Sequence, residues 1–169
     1  MNNRVINLSA PSKVVIMIIK EEKRDLFTMP NDYVLAHCIS ADFKLGAGIA
    51  KEFDRRFLCR NHLFSEFRAS WIPRWDKTKE RFRGGSIIIY DTRPIFNLVT
   101  KRNYWDKPTL TTIKNALIWM KEQCEMLNIH KVAMPRIGCG LDRQKWSDVK
   151  RIIEDVFCDA DIEIVVCVK

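Results

Sequence analysis

Long apolar runs, paired cysteines and glycines are what this chain of 169 residues has least of. The apolar run Val14–Ile19 spans only six positions, far short of the ~20 residues that a helix needs to cross a bilayer. The opening M-N-N-R-V-I has no apolar core of the secretory kind. No membrane association is therefore expected, and the protein is expected to be intracellular. The six cysteines include no Cys-x-x-Cys pair. Several fall in apolar runs, where a free thiol behaves as a small hydrophobe. This excludes a disulfide framework and a zinc site, and points to a reducing compartment in the cytoplasm or nucleus. No ligand cluster for a metal is visible, so neither metal nor cofactor is expected. The sequence also lacks internal repeats, low-complexity tracts and linkers. Its length suits one domain over residues 1–169, with nothing that demands more than a monomer.

What the chain does have is apolar content, 47%, balanced by 30% charged residues, as in globular proteins. Its formal net charge of +8 attracts polyanions such as nucleic acid, an anionic nucleotide or an acidic partner. Lys13–Ile19 reads as a strand buried on both faces, followed by a charged turn at Lys20–Arg24. A second strand covers Tyr33–Ile39, and Gly46 and Gly48 then open a helix that reaches Phe57. Arg60–Gly85 interleaves aromatic and basic residues, a pattern suited to single-stranded nucleic acid. The plainer account of that composition is an amphipathic helix over Leu63–Trp71 that packs its apolar face while its charges meet solvent. Ser86–Tyr90 and Ile95–Thr100 read as strands joined by a turn at Asp91–Pro94. Pro108 starts a long helix with one apolar face formed by Ile113, Ala116, Leu117, Met120, Cys124 and Leu127. A strand at Lys131–Met134, a helix that Ser147 can cap, and a strand at Ile162–Val168 complete the order. Strands alternating with helices, with one adjacent strand pair, make an α/β fold with a central mixed sheet covered on both faces.

The densest stretch is M-P-R-I-G-C-G-L-D-R-Q-K-W, Met134–Trp146. A strand running through a glycine loop into a helix gathers backbone N–H groups at a positive helix end, which suits phosphate. A tight turn whose glycines merely permit positive φ is the plainer account of such a loop. Gly46–Gly48 forms a second unit of the same kind. In open α/β sheets ligands sit beyond the carboxyl ends of the strands. His37–Ser40, Lys101 and Gly138–Asp142 all fall there and are expected to share one rim. His37 and Cys38 are adjacent in a strand, so they point to opposite faces and cannot pair with each other.

With those residues in hand, the chain resembles a macrodomain of the terminal ADP-ribose protein glycohydrolase type. The matching motifs are D-L-F at Asp25, A-H-C-I-S at Ala36, G-A-G-I-A at Gly46, L-V-T-K at Leu98, K-P-T at Lys107 and M-P-R-I-G-C-G-L-D with Trp146. They keep their order from Asp25 onward. Residues 1–12 remain as an N-terminal extension and 60–85 as an enlarged basic and aromatic segment.

The resemblance implies a three-layer α/β/α sandwich with an ADP-ribose cleft. Asp25 would accept from the adenine amino group, with Leu26 beside it, and His37 and Ser40 would line the cleft. The loops Gly46, Gly48, Ile49, Ala50 and Gly138, Cys139, Gly140, Leu141 would hold the diphosphate and distal ribose. Cys139 would act there through its backbone. Thr100, Pro135 and Ile137 flank these motifs as further binding residues. Lys101 would attack the anomeric carbon of the distal ribose, and Asp142 would assist proton transfer and release of the adduct. The implied activity is hydrolysis of ADP-ribosyl esters on glutamate or aspartate, with O-acyl-ADP-ribose as a related ester and no metal. The implied partners are ADP-ribose and ADP-ribosylated proteins. Two departures stand out: Arg24 replaces the usual glycine before Asp25, and the chain ends in Lys169 rather than an apolar residue. A non-catalytic ADP-ribose reader, a phosphatase of ADP-ribose 1″-phosphate and a nucleic-acid-directed hydrolase using 60–85 are the alternatives.

Overall fold

β-branched runs form strands and amphipathic runs form the covering helices in the computed structural model, which describes residues 14–67, 75–79, 81–82, 86–90 and 92–169. In chain order the elements are β1 (Met17–Lys23), β2 (Val34–Ser40), α1 (Gly48–Phe57), α2 (Cys59–Phe67), β3 (Trp75–Asp76) and β4 (Arg81–Phe82). They continue with β5 (Ser86–Tyr90), β6 (Pro94–Lys101), α3 (Leu110–Leu127), β7 (Lys131–Met134), α4 (Trp146–Phe157) and β8 (Ile162–Val168). A 3-10 turn, Leu26–Thr28, follows β1. Six strands form one sheet in the order β1-β8-β7-β2-β6-β5, and β3 and β4 form a separate ribbon. Within the large sheet every pairing is parallel except that of β5 with β6. Five parallel strands thus end on one rim, where β2, β6 and β7 present the chain segments that follow them.

Side-chain alternation along the strands divides the interior into two cores. Val34 and Ala36 of β2 face the side covered by α3 and α4, packing with Ile113, Leu117, Val149 and Ile153. Leu35 and Ile39 face the opposite side, packing with Phe53 of α1, Leu63 of α2 and Leu26 of the 3-10 turn. The result is the expected three-layer sandwich. The cap of α3 satisfies backbone groups at its start: Thr112 N donates to Thr109 Oγ1 at 3.1 Å, and Thr109 N donates to Thr112 Oγ1 at 2.9 Å.

Several local expectations are corrected. The first strand is Met17–Lys23, so Lys20–Lys23 belongs to the strand and is not a turn. β1 is an edge strand paired on one side, with β8, and Ile18 is 45% exposed. Its charges are held by surface ion pairs, Lys20 to Glu163 at 2.8 Å and Glu21 to Arg136 at 3.0 Å, so burial on both faces is not needed. Ser147 is the second residue of α4 and does not cap it; Lys145 occupies the cap without a side-chain bond. Asp148 in the first turn instead favours the positive helix end. In the basic and aromatic segment, Phe64 packs edge-to-face on Phe43 with centroids 5.6 Å apart, and Trp75 lies against the α1–α2 core. Residues 68–74, 80 and 83–85 of that segment, and Asp91 of the expected turn, lie outside the described residues.

His37 belongs to the same core. It is fully buried, stacked on Phe53 with centroids 3.9 Å apart, and its Nε2 lies 2.6 Å from Asn97 Oδ1. Burial pushes its imidazole down to about 4, only partly opposed by the Asn97 bond. Between pH 4 and its ordinary value the unfolded chain holds a proton that the folded chain does not, so stability is lost as pH falls. Lowering pH from 7 to 5 is expected to cost wild type about 2 kcal/mol more than His37→Gln, measured as unfolding free energy in urea. Equal losses in both would remove His37 as the cause.

Candidate active site

Beyond the ends of β2, β6 and β7 the two glycine loops enclose a cavity of about 910 Å³. β2 contributes Ser40, and the following loop and first turn of α1 contribute Gly46, Gly48, Ile49 and Ala50. β6 contributes Lys101; the β7–α4 loop contributes Pro135, Ile137, Gly138, Gly140, Leu141 and Asp142. The loops touch across the cleft: a Cβ on Gly48 would stand 3.3 Å from Leu141 Cδ1. Lys107 adds a second tie, its Nζ donating to the Leu141 carbonyl at 3.3 Å.

At the floor of the cleft Lys101 Nζ donates to Asp142 Oδ1 at 2.7 Å. Their side chains are 16% and 18% exposed, so the pair is mostly withdrawn from water yet open to a ligand. Parallel pairing places Lys101 at the tip of β6 beside Ser40, and Ala41 N donates to the Lys101 carbonyl at 2.9 Å. Asp142 reaches it from the β7–α4 loop, which Gly138 turns with φ +71°. That loop is braced by Gln144 N donating to the Gly138 carbonyl at 2.7 Å and Arg143 N to the Gly140 carbonyl at 3.1 Å. The cavity therefore joins an amine, a carboxylate and two glycine loops at strand ends. Such a set can bind an anion on backbone N–H groups and present a nucleophile with an adjacent proton acceptor.

Two other reactive groups lie close by, and neither is poised as a nucleophile. Burial, with the Asp142 charge second, pushes the Cys38 thiol up to about 12, so it stays protonated. His37 does not line the cavity, because β2 directs it into the α1 core under Phe53. Four further candidates also fall outside the cavity wall. Asp25 is exposed at the end of β1, where its Oδ1 accepts from Phe27 N at 3.0 Å, and Leu26 is buried in the core. Thr100 is 1% exposed behind Lys101. Cys139 turns its N–H onto the Arg136 carbonyl at 3.3 Å and its Sγ toward the Ile137 carbonyl at 3.2 Å. Arg24 is occupied by Thr28, donating to its Oγ1 at 3.1 Å and its carbonyl at 2.8 Å.

The structure adds Lys44, Tyr104, Trp105 and Lys107 to the wall. Tyr104 and Trp105 are 58% and 67% exposed and meet edge-to-face at 5.0 Å. Two adjacent aromatics in the otherwise polar run R-N-Y-W-D-K, directly after Lys101, were the available signal.

No protein-family model matches the chain. Over 144 residues it is 38% identical to the human ADP-ribose glycohydrolase OARD1, covering 85% of this chain and 87% of that protein. In structure it is similar to the macrodomain of Thermus aquaticus DarG, with a TM-score of 0.74 and 19% identity over 90% of this chain and 99% of the other. It is also similar to Thermosipho africanus DarTG, solved in complex with ADP-ribose, with a TM-score of 0.70 and 18% identity over 90% of this chain and 42% of that one. The fold is that of a macrodomain. The chain belongs to the macrodomain family, in its terminal ADP-ribose glycohydrolase type.

The turn at Gly138 is the most demanding point in the loop. A Cβ there would come within 2.9 Å of Ile113 Cδ1, a fully buried core atom, at a φ that L side chains rarely adopt. Gly138→Ala is expected to cost ~1–3 kcal/mol. Gly140→Ala, whose Cβ would meet nothing within 4 Å, should stay within ~0.5 kcal/mol. Urea unfolding of both variants checks the contrast.

Proposed function

We propose that the protein is an ADP-ribosyl hydrolase that releases ADP-ribose from carboxylate esters, through an adduct on Lys101. The observation that carries this reading is the Lys101–Asp142 contact of 2.7 Å inside a cleft walled by two glycine loops. The name of its 38%-identical human relative, an ADP-ribose glycohydrolase, supports the same activity here. ADP-ribose bound to a structural neighbour supports the ligand.

In the proposed reaction the diphosphate rests on backbone N–H groups at the start of α1 and in the Gly138–Leu141 loop, and the distal ribose sits over Lys101. Asp142 takes a proton from the Lys101 ammonium, and Nζ then bonds to the anomeric carbon. The bond from that carbon to the ester oxygen breaks, and its electron pair leaves with the side-chain carboxylate of the target. A glutamate or aspartate carboxylate is stable once released, which favours acyl esters of ADP-ribose as a class. Water next adds at the same carbon, the amine departs and recovers its proton, and free ADP-ribose leaves. The amine adduct takes the part that a metal-activated water would otherwise play, so the route calls for no metal.

Asp25 and Leu26 stand on the same strand-end rim, beyond β8, and we assign them the adenine end of a nucleotide lying along it. The six free cysteines fit a reducing, intracellular setting.

Release of ADP-ribose from a glutamate-modified protein tests the reading. Lys101→Ala should lose activity beyond detection while still binding free ADP-ribose, and Asp142→Asn should lower kcat by about 10²–10⁴-fold. Wild-type binding without turnover would identify a reader instead, and phosphate release from ADP-ribose 1″-phosphate a phosphatase. Asp25→Ala should raise Kd for ADP-ribose and leave kcat nearly unchanged, in calorimetry alongside single-turnover kinetics.

A further inference from the structure

We infer that Asp42 is a positioning residue that fixes the Lys101 loop relative to the glycine cradle. This rests on the catalytic reading of Lys101 above. Asp42 is 5% exposed, and each of its oxygens is engaged. Oδ1 accepts from Ser40 Oγ at 2.5 Å and from Lys44 N at 3.1 Å. Oδ2 accepts from Tyr104 N at 2.8 Å, across 62 positions of sequence. One buried carboxylate thus joins three things: the end of β2, the loop entering α1, and the segment three residues beyond Lys101.

The local backbone shows why such a fastening is needed. The β2–β6 ladder slips at Ile39/Ser40, so that Ser40 stands opposite Lys101 and Thr100 is left out of the pairing. The regular sheet register is therefore broken where the amine must be aimed. Directly after Asp42, Phe43 and Leu45 adopt φ of +54° and +44°, left-handed values for residues with side chains. Conformations of this kind persist only where surrounding contacts over-determine them. Burial of both residues and the Asp42 bonds supply those contacts. Past the clamp, Asn103 N and Nδ2 donate to Asp106 Oδ2 at 2.9 and 3.1 Å, closing the turn that carries Tyr104 and Trp105.

The demand is for a carboxylate specifically. Lys44 N and Tyr104 N are pure donors and meet different oxygens of Asp42, so an acceptor is required on both sides. Asparagine has the same shape but must present its amide NH₂ to one of them, leaving a buried N–H facing a donor. The Lys101 loop is then free to shift. Displacement of a reacting group by about 1 Å can cost ~10²-fold in rate.

The experiment measures ester hydrolysis and ADP-ribose affinity in wild type, Asp42→Asn and Lys101→Ala, together with amide hydrogen exchange at Tyr104. Asp42→Asn is expected to lower kcat by about 10²-fold, with Kd for ADP-ribose changed less than about threefold. Tyr104 N–H is expected to exchange slowly in wild type and fast in Asp42→Asn. Full activity in Asp42→Asn, or a kcat loss matched by an equal loss of ADP-ribose affinity, would overturn the positioning role. The wild-type amide decides the matter even where the variant fails to fold: exchange at Tyr104 as fast as in an open loop would mean no clamp exists. Turnover retained in Lys101→Ala would overturn the catalytic reading and this inference with it, whereas an inactive Lys101→Ala beside a fully active Asp42→Asn would sink the clamp alone.

Discussion

The contact of 2.7 Å between Lys101 Nζ and Asp142 Oδ1 joins two segments 41 positions apart in sequence. One is the tip of β6, the strand next to the β5 edge of the sheet; the other is the far side of a glycine turn. With side chains 16% and 18% exposed, both charges have surrendered much of their hydration. An ion pair so placed recovers little net stability, because desolvation offsets the attraction. An apolar pair would close the sheet edge at least as well. Under the proposed function the pair makes physical sense as chemistry: an amine is kept 2.7 Å from a carboxylate able to take its proton.

That contact depends on the rest of the fold in a definite order. Parallel pairing of β2 with β6 and β7 brings three strand ends to one rim. Gly138, at a φ of +71° that L side chains rarely adopt, turns the chain so that Asp142 reaches Lys101. Ile113 of α3 fills the space where a side chain at Gly138 would be, which couples the loop to the larger core. Opposite, the start of α1 touches Leu141, so the two loops that frame the cleft also fix its width. The buried His37 and Phe53 stack lies beneath the α1 side and serves that packing rather than the ligand.

How far the sequence foretold this varies with the physics involved. Strand β7, strand β8 and the apolar face of α3 from Ile113 to Cys124 were legible from their apolar patterns, whereas Leu127, assigned to the same face, is 44% exposed at the helix end. The convergence of Lys101 and Gly138–Asp142 was legible because strand-end positions in a parallel sheet share a rim. β1 was misplaced because an edge strand tolerates charge, so Lys20–Lys23 looked like a turn. His37 was assigned to the cleft because strand alternation tells which residues differ in face, not which face meets the ligand. The cap of α4 was misjudged because capping depends on where the backbone leaves the helix, which one serine cannot reveal. Asp42 left no mark, since the donor that ties it to the Lys101 segment, Tyr104 N, lies 62 positions further along the chain.

The most direct measurement of the central claim is covalent capture. The protein is incubated with ADP-ribose and a mild hydride donor, which reduces to a stable secondary amine the imine that the Nζ–anomeric carbon adduct forms when its ribose ring opens. Intact mass and peptide mapping should then find one ADP-ribosyl group, carried on Lys101. An active protein that stays unmodified, or that carries the group on another residue, would contradict the account.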